Sequence, residues 1–294
     1  MDLASLILAQ SLSGLTNAMF LFLMASGLSL IFGVLRLLNF AHGSFYMLGA
    51  YVSYQIIAWL GNGETFWFAA LVAACTVAVL GGLVERFLLR RLYDRPELVQ
   101  LLFTYALILI VADGAKMIWG TKQHSVMRPP SLSDGFQLLG TTLPAYNLFI
   151  LILGPAIAIG LWAFLQRSSH GRVIRAAALD REMLGALGIN VERIYMLVFM
   201  AGSFLAGLAG ALVTPITVIV PGMDSEIIIA LFIIVVIGGL GSFWGTFFGS
   251  IIYGLVLAFG ILVMPRFSLF AVAALMAVVL VIKPTGLFAQ KATR

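Results

Sequence analysis

Residues 227–265 read IIIALFIIVVIGGLGSFWGTFFGSIIYGLVLAFGILVMP, a run of 39 positions without a charged side chain. A helix that crosses a hydrocarbon core about 30 Å thick needs about 20 residues, so this run is too long for one ordinary span. The glycine-rich stretch 238–245 divides the run, and its first part, 227–237, is short enough for a re-entrant or broken helix. The run therefore predicts two membrane segments joined by a glycine-rich break.

The rest of the chain repeats this pattern of long apolar runs separated by short charged segments. Together the runs predict an all-α, polytopic membrane bundle of about eight or nine membrane segments, with one or two broken or re-entrant helices. We expect a single transmembrane domain over 1–294. The seven further uncharged runs are 3–35, 37–63, 65–84, 98–112, 135–166, 194–223 and 267–282.

The composition agrees with a membrane protein. Of the 294 residues, 62% are hydrophobic and 10% are charged, whereas a soluble domain averages about 45–50% and about 25%. Mean hydropathy is +1.10. One cysteine, Cys75, excludes a disulfide framework and a thiolate metal cage, each of which needs at least two cysteines.

The distribution of the basic residues predicts the orientation. Thirteen of the 17 Lys and Arg residues fall at Arg36, in segments 85–97 and 167–193, and in the tail after 282. Cytoplasmic loops are enriched in Lys and Arg, so these segments are assigned to the cytoplasm. The N-terminus then lies outside and the C-terminus inside, which suits nine segments, or eight if 227–245 is re-entrant. Residues 119–143 become the longest outer loop, and the net charge of +5 reflects membrane topology rather than nucleic-acid binding.

Several catalytic signatures are absent from the sequence. There is no GxxxxGK[ST] phosphate loop, no HExxH and no GxSxG. The three histidines, His42, His124 and His170, lie in three different segments. The sequence thus predicts no metal, no cofactor and no enzymatic activity, although residues converging from distant segments would allow an intramembrane hydrolase.

The cytoplasmic segment 168–190 contains strong helix formers and small residues. Ser168 or Ser169 can cap the start of a helix, and Gly188 suits the left-handed position after its last turn, with Ile189 over Leu184. We interpret the segment as a docking helix for a partner; the alternative is a solvated connector.

Three polar residues interrupt the second apolar run at Asn39, His42 and Ser44, beside Gly43. Polar groups at membrane depth face a bundle interior or a water-filled cavity, and a discontinuous helix here would direct free N–H groups at an anion. We predict a translocation path lined by these residues and Tyr46. Two alternatives remain: hydrogen bonds between helices, or a location near the inner surface beside Arg36.

Glycines give two further hypotheses. Gly238, Gly239 and Gly241 either line the path as a broken helix or provide close helix packing. Gly202, Ala206 and Gly210, at four-residue spacing, predict a helix–helix contact face.

Four stretches together carry a family resemblance. They are LNFAHGSFYMLGAY at 38–51, GRVIRAAALDREMLGALGIN at 171–190, GGLGSFWG at 238–245 and PTGLF at 284–288. The chain resembles the LivH-type permease subunits of branched-chain amino acid ABC importers, with one departure: Arg175 stands where the general permease loop has a glutamate before its alanine pair. The resemblance implies that ATPase coupling involves Arg172, Arg175, Ala177, Asp180, Arg181, Glu182, Gly185 and Gly188.

The resemblance also implies partners. These are a related, LivM-like second permease, two cytoplasmic ATP-binding subunits and a periplasmic or surface solute-binding protein, in a bacterial inner membrane and in contact with its lipid. Similar permeases move urea, amides or other small organic acids, so the solute stays open. The rival class is a self-sufficient secondary carrier, which needs ion-coupling residues at mid-membrane. Asp113 with Lys116 is the one pair considered for that role, and a static ion pair near the outer surface is the alternative.

Overall fold

A computed structural model describes residues 3–61, 63–138 and 141–288. Eleven α-helices and one two-stranded antiparallel hairpin lie within these residues. The strands are β1 (Gly135–Leu138) and β2 (Thr141–Pro144). The helices are α1 (Leu3–Leu35), α2 (His42–Leu60), α3 (Phe66–Phe87), α4 (Glu97–Trp119), α5 (Ala145–Arg167), α6 (Ser169–Leu179), α7 (Arg181–Ala186), α8 (Val191–Val213), α9 (Met223–Gly238), α10 (Phe243–Val263) and α11 (Ser268–Ile282).

The predicted helical membrane bundle is confirmed, with a small difference in the number of segments. Within the described ranges, seven helical segments are long and apolar enough to cross a membrane: α1, α3, α4, α5, α8, α10, and α11 with the turn before it. Eight or nine segments were expected. The two other long helices, α2 and α9, fall short because α2 carries polar residues and α9 has only 16 residues.

The glycine-rich break between α9 and α10 lies where the sequence predicts it. Helix α9 ends at Gly238, and the chain passes through Gly239 and Gly241, whose φ angles of 106° and 76° favour glycine. Helix α10 then starts after Ser242, whose Oγ accepts a hydrogen bond from the Gly245 amide at 3.1 Å. At about 1.5 Å per residue, the 16 residues of α9 span about 24 Å, less than a full hydrocarbon core.

A second break separates α1 from α2. The helical backbone ends before Arg36, the only described non-glycine residue with a left-handed φ, at 54°. After this turn the chain runs back into the bundle, so that α2 starts beside the middle of α1: the His42 Nε2 atom lies 2.9 Å from the Met24 carbonyl oxygen. Met24 is eleven residues before the end of α1, which places the start of α2 roughly 16 Å inside that end.

Helices α1 and α8 form the centre of the bundle. The most apolar window of α1 is 78% buried and that of α8 is 67% buried, against 17% for α5 and α11. Helix α10 packs along α1, and α2 and α3 pack along α8. The peripheral helices expose large apolar side chains such as Ile152 and Val281, as expected for surfaces in contact with lipid or another membrane subunit.

Small residues allow the central helices to approach closely. The predicted contact face of α8 is confirmed, because a Cβ atom added at Gly202 would lie 2.6 Å from the Ile31 side chain, Ala206 is fully buried, and Gly210 packs against the Tyr46 backbone. Gly207 is similarly enclosed, with its Cα 2.6 Å from a Cβ added at Gly49. Close backbone approach is the usual function of small residues between membrane helices.

Substitution of Gly207 by leucine should destabilise the junction of α2, α3 and α8. A Cβ at this position would lie 2.7 Å from the Val77 Cβ atom, and overpacking of this kind costs about 1–3 kcal/mol. We expect Gly207→Leu to lower the melting temperature in detergent by several degrees. The matched control is Gly160→Leu on α5, where an added Cβ meets no atom within 4 Å. Equal melting temperatures for both variants would contradict the packing assignment.

Candidate functional site

The polar residues at the start of α2 lie deep in the bundle. Asn39, His42 and Ser44 each have 0% of their surface exposed. All three side chains lie inside the bundle, and the His42 ring contacts Met24, about three helical turns before the end of α1, whereas Arg36 is exposed.

The hydrogen bonds of this cluster are incomplete. The His42 ring is held to Met24 through Nε2, but its Nδ1 atom has no hydrogen-bond partner among the described residues. Neither amide atom of Asn39 has a partner there. A hydrogen bond between helices therefore accounts for one ring nitrogen of His42. Among the described residues, none accounts for the buried side-chain amide of Asn39.

Ser44 brings a residue into the cluster that the sequence reasoning missed. Its Oγ donates a 2.8 Å hydrogen bond to the Oδ2 atom of Asp224, in the first turn of α9. Gly43 permits this contact, since a Cβ added there would lie 2.6 Å from the Asp224 carbonyl oxygen. Asp224 was treated only as the boundary between two uncharged runs. The sequence signal for Asp224 is an acidic residue two positions after Pro221-Gly222, at the start of an apolar helix.

The environment stabilises the Asp224 carboxylate only in part. The residue is 1% exposed, and burying an unpaired charge costs several kcal/mol. A hydrogen bond to a charged group contributes about 1.5–3 kcal/mol, and the N-terminus of α9 contributes about 0.3–1 kcal/mol. The other carboxylate oxygen, Oδ1, has no hydrogen-bond partner among the described residues.

Further unpartnered polar atoms continue along α2. The Tyr51 hydroxyl and the Ser53 hydroxyl are both buried without a hydrogen-bond partner in the described part of the chain. With Asn39, His42, Ser44 and Asp224 they form what we call the α2 polar row, in which Ser44 and Tyr51 lie on one face of α2 and His42 and Ser53 on the opposite face. Buried polar groups in native proteins nearly always have a partner, so a row of unpartnered ones indicates a site for water or solute.

Aromatic side chains cover one end of the α2 polar row. The Tyr51 ring stacks on Trp119 with centroids 4.9 Å apart, and the Tyr54 ring lies 4.4 Å from that of His124. The Trp119 indole N–H donates to the Gln55 side-chain oxygen at 3.0 Å, which fixes this cover to α2. The end of α2 towards the predicted outer loop is therefore closed.

A cavity lies near the other end of the row. It has a volume of about 560 Å³ and is lined in part by Gly33, Arg36, Leu38 and Gly241. Leu38 directly precedes the buried Asn39. Along the chain, the lining of this cavity is therefore followed directly by the first residue of the polar row.

The predicted path glycines separate into two groups. Gly238 packs against the Gly245 backbone, and Gly239 lies against Gly286, so both provide close packing. Gly241 instead lines the cavity. Tyr46 is buried, and its carbonyl packs on α8.

Segment 168–190 forms two short helices, α6 and α7, rather than one. Ser168 caps α6 by accepting from the Gly171 amide at 2.8 Å, as predicted. Asp180 interrupts the helix and caps α7, its Oδ1 atom accepting from the Glu182 and Met183 amides at 3.0 Å. Gly188, with φ of 77°, ends α7 in the predicted left-handed conformation.

Two of the predicted coupling residues face inward. Ala177 is 3% exposed and packs with Val34 and Val198 in a small core, so it cannot contribute to a docking surface. Arg175 Nη1 donates to the Leu165 carbonyl oxygen, which directs the guanidinium back to α5. Helical spacing alone could not distinguish the inward from the outward side of this segment.

The outward side of the segment is apolar and open. Leu179, Met183 and Leu187, spaced four residues apart, are 84%, 62% and 69% exposed. Gly185 has no atom within 4 Å of an added Cβ. Exposed residues on this side also include Arg172, Asp180, Arg181, Glu182 and Gly188. We call residues 179–188 the outward surface.

Ion pairs connect this segment to the loop after α3. Arg181 lies 3.5 Å from Asp94, and Arg90 pairs with Glu192 at 2.8 Å and with the fully buried Glu85 at 3.4 Å. The Tyr93 hydroxyl donates to Glu85 at 2.6 Å. Burial, and then this hydrogen bond, raise the pKa of the Tyr93 phenol, so it remains a neutral donor.

The pair of Asp113 and Lys116 is a surface ion pair. The two groups lie 2.9 Å apart, with side chains 72% and 46% exposed. Both side chains therefore lie outside the buried bundle, and the static ion pair stays a prediction.

The comparisons with known proteins agree over nearly the whole chain. Residues 10–282 match the family described as "Branched-chain amino acid transport system / permease component". The chain is 30% identical over 306 residues to the high-affinity branched-chain amino acid transport system permease protein LivH of Escherichia coli, covering 96% of each protein. It is 29% identical over 296 residues to BraD of Pseudomonas aeruginosa, of the same description, again with 96% of each covered.

A second kind of permease is also similar. LivM of Escherichia coli is 24% identical over 301 residues, which cover 92% of this chain and 68% of that protein. No solved structure matches the chain.

Removal of the Asp180 cap should loosen α7. Replacing an N-cap Asp by Ala costs typically about 1 kcal/mol, whereas Asn caps as well as Asp does. We expect Asp180→Ala to accelerate hydrogen exchange of the Glu182 and Met183 amides about fivefold, and Asp180→Asn to leave it nearly unchanged. Unchanged exchange in Asp180→Ala would show that the cap does not hold α7.

Proposed function

The chain belongs to the family of branched-chain amino acid transport system permease components, and from this premise we propose that it forms part of the translocation path of an ATP-driven importer for branched-chain amino acids. It is a multi-pass membrane protein with seven spanning segments among its described residues. The excess of Lys and Arg in the loops on one side supports an inner-membrane location, with the N-terminus outside and the C-terminus in the cytoplasm.

The observation that carries this proposal is the α2 polar row. Its unpartnered groups lie on a helix that starts inside the bundle, between an aromatic cover and a cavity. Discontinuous helices that begin at mid-membrane are a common construction of solute sites in transporters. We place the path along this row, with Asn39, His42, Gly43 and Ser44 at the end near the cavity and Gly241 in the lining of the cavity.

The partners follow from what a permease component lacks. The sequence contains no phosphate-binding loop, so ATP hydrolysis requires separate subunits, which we propose to be two cytoplasmic ATP-binding proteins. The similarity to LivM supports a related second permease. A solute-binding protein on the outer side would deliver the amino acid.

The outward surface is the proposed docking site for the ATP-binding subunit. Its exposed Leu179, Met183 and Leu187 offer apolar anchors, and Gly185 leaves room for a partner's side chain. The pairs Arg181–Asp94 and Arg90–Glu192 connect this surface to α3 and α8, so a displacement there reaches the centre of the bundle. ATP-bound and ATP-free partners would then favour different permease states.

A cysteine placed in the α2 polar row should report the opening of the path. In a background with Cys75→Ser, we expect Ser44→Cys to react with a small water-soluble thiol reagent in the assembled transporter, at a rate that changes when ATP is trapped. The reason is that position 44 is fully buried in the present conformation and becomes wet only when the path opens.

Two cysteines serve as controls for this experiment. Ala206→Cys, on the packed face of α8, should stay unlabelled in every state, and Gly185→Cys should react whenever no partner covers it. If Ser44→Cys stays as unreactive as Ala206→Cys in every state, the polar row is static packing and the path lies elsewhere.

A bulky residue at Gly185 should uncouple transport without unfolding the chain. We expect Gly185→Trp to reduce uptake at least tenfold and to weaken co-purification of the ATP-binding subunit, with an unchanged melting temperature, because the position is open. Ala177→Trp should instead lower the melting temperature, since Ala177 is buried. The control is Arg95→Trp, because Arg95 is exposed and lies outside the outward surface. Wild-type uptake by Gly185→Trp with the ATPase attached would exclude this docking site.

A further inference from the structure

Among the described residues, the Asp224 carboxylate has no positively charged partner. The ion pairs found in the described ranges involve other residues: Arg90 with Glu85 and Glu192, Lys116 with Asp113, and Arg181 with Asp94. Asp224 accepts one hydrogen bond, from Ser44, and its Oδ1 atom accepts none. An ionisable group inside a membrane bundle nearly always has a partner, and none is visible here.

Two hydroxyl groups on the same face of α2 as the Asp224 contact can accept hydrogen bonds. Ser44 uses its proton on Asp224, which leaves the Oγ lone pairs free to accept. Tyr51 is seven residues further along α2, on the same face, and helical side chains lean towards the N-terminus, which directs its hydroxyl back towards Ser44. That hydroxyl is buried and has no hydrogen-bond partner among the described residues.

We infer that Asp224 Oδ1, Ser44 Oγ and the Tyr51 hydroxyl form the site that binds the ammonium group of the amino acid during its passage. An ammonium carries three donors and no acceptor, which matches three acceptor atoms, one of them charged. The inference rests on the function proposed above, and adds the part of the solute that the protein recognises.

Other occupants fit the site less well. A divalent metal ion would need several anionic or imidazole ligands, and no group of three or more His, Cys, Asp or Glu residues exists in the described part of the chain. The carboxylate of an amino acid would be repelled by Asp224. The apolar side chain has a suitable neighbour in Ile228, one turn further along α9, which lies near Gly43.

The direct test is protection of Asp224 from chemical modification. Dicyclohexylcarbodiimide modifies buried carboxyl groups in membrane proteins, and mass spectrometry of the Asp224 peptide measures the extent in the assembled transporter. Leucine and 3-methylbutylamine, which has the ammonium but no carboxylate, should slow the modification at least threefold. The matched anion 4-methylpentanoate should not. Equal effects of all three compounds, or protection by 4-methylpentanoate alone, would overturn the inference.

Uptake by variants gives a second, independent measurement. Asp224→Asn should reduce leucine uptake at least tenfold, while Glu226→Gln, an exposed acid in the same turn of α9, should leave uptake within twofold of wild type. Wild-type uptake by Asp224→Asn would also overturn the inference.

If Asp224→Asn does not fold, leucine uptake by Tyr51→Phe tests the same site. Removing a buried hydroxyl that has no protein partner should leave the melting temperature unchanged or raise it. We expect leucine uptake by this variant to fall several-fold nonetheless. A wild-type rate would exclude Tyr51 as a ligand. The two failures can be distinguished. If only the inference fails, the wild-type complex still takes up leucine; if the proposed function fails, the wild-type complex takes up none.

Discussion

Every polar group that enters the hydrocarbon layer must find a partner inside the protein, and this constraint governs the whole structure. Nine long helices satisfy it through their own backbone hydrogen bonds. At the two breaks, after Leu35 and after Gly238, the chain leaves the helix and the constraint must be met otherwise. The second break is closed by Ser242 and by the backbone of Leu287 and Phe288, which donate to the end of α9. The first break leads to the α2 polar row, where several buried polar groups have no hydrogen-bond partner among the described residues.

Two kinds of region can be distinguished in the bundle. In structural regions the helices pack closely, and in candidate functional regions buried polar groups lack some of their hydrogen bonds. Around Gly202, Ala206 and Gly207 the helices touch at backbone distance, and nothing polar is needed because dispersion contacts suffice. One layer away, Ser44 and Asp224 keep a polar contact that stability alone would not favour. A transporter that alternates between two conformations needs both kinds of surface: close contacts that hold the helices together, and polar groups that gain partners only when the solute or water is present.

The side that carries α6 and α7 connects these regions to the outside of the molecule. The buried Glu85 accepts from both Arg90 and Tyr93, and Arg90 also reaches Glu192 at the start of α8. A buried carboxylate with two donors is stable and geometrically well defined. Arg90 and Glu192 thus connect the loop after α3 to the central helix α8, and the exposed pair of Arg181 and Asp94, 3.5 Å apart, connects the same loop to the outward surface.

The sequence by itself determined the membrane class, the break at Gly238–Gly245, the caps at Ser168 and Gly188, and the family, because these depend on composition, local backbone preference and motifs. It also identified Asn39, His42 and Ser44 as unusual, since polar residues in an apolar run need an explanation wherever they lie. Only the tertiary structure decided that α2 starts beside Met24, that Ala177 faces inward, and that Asp224 meets Ser44 across 180 positions. Those facts depend on how distant helices pack, and neither hydropathy nor helical spacing contains that information.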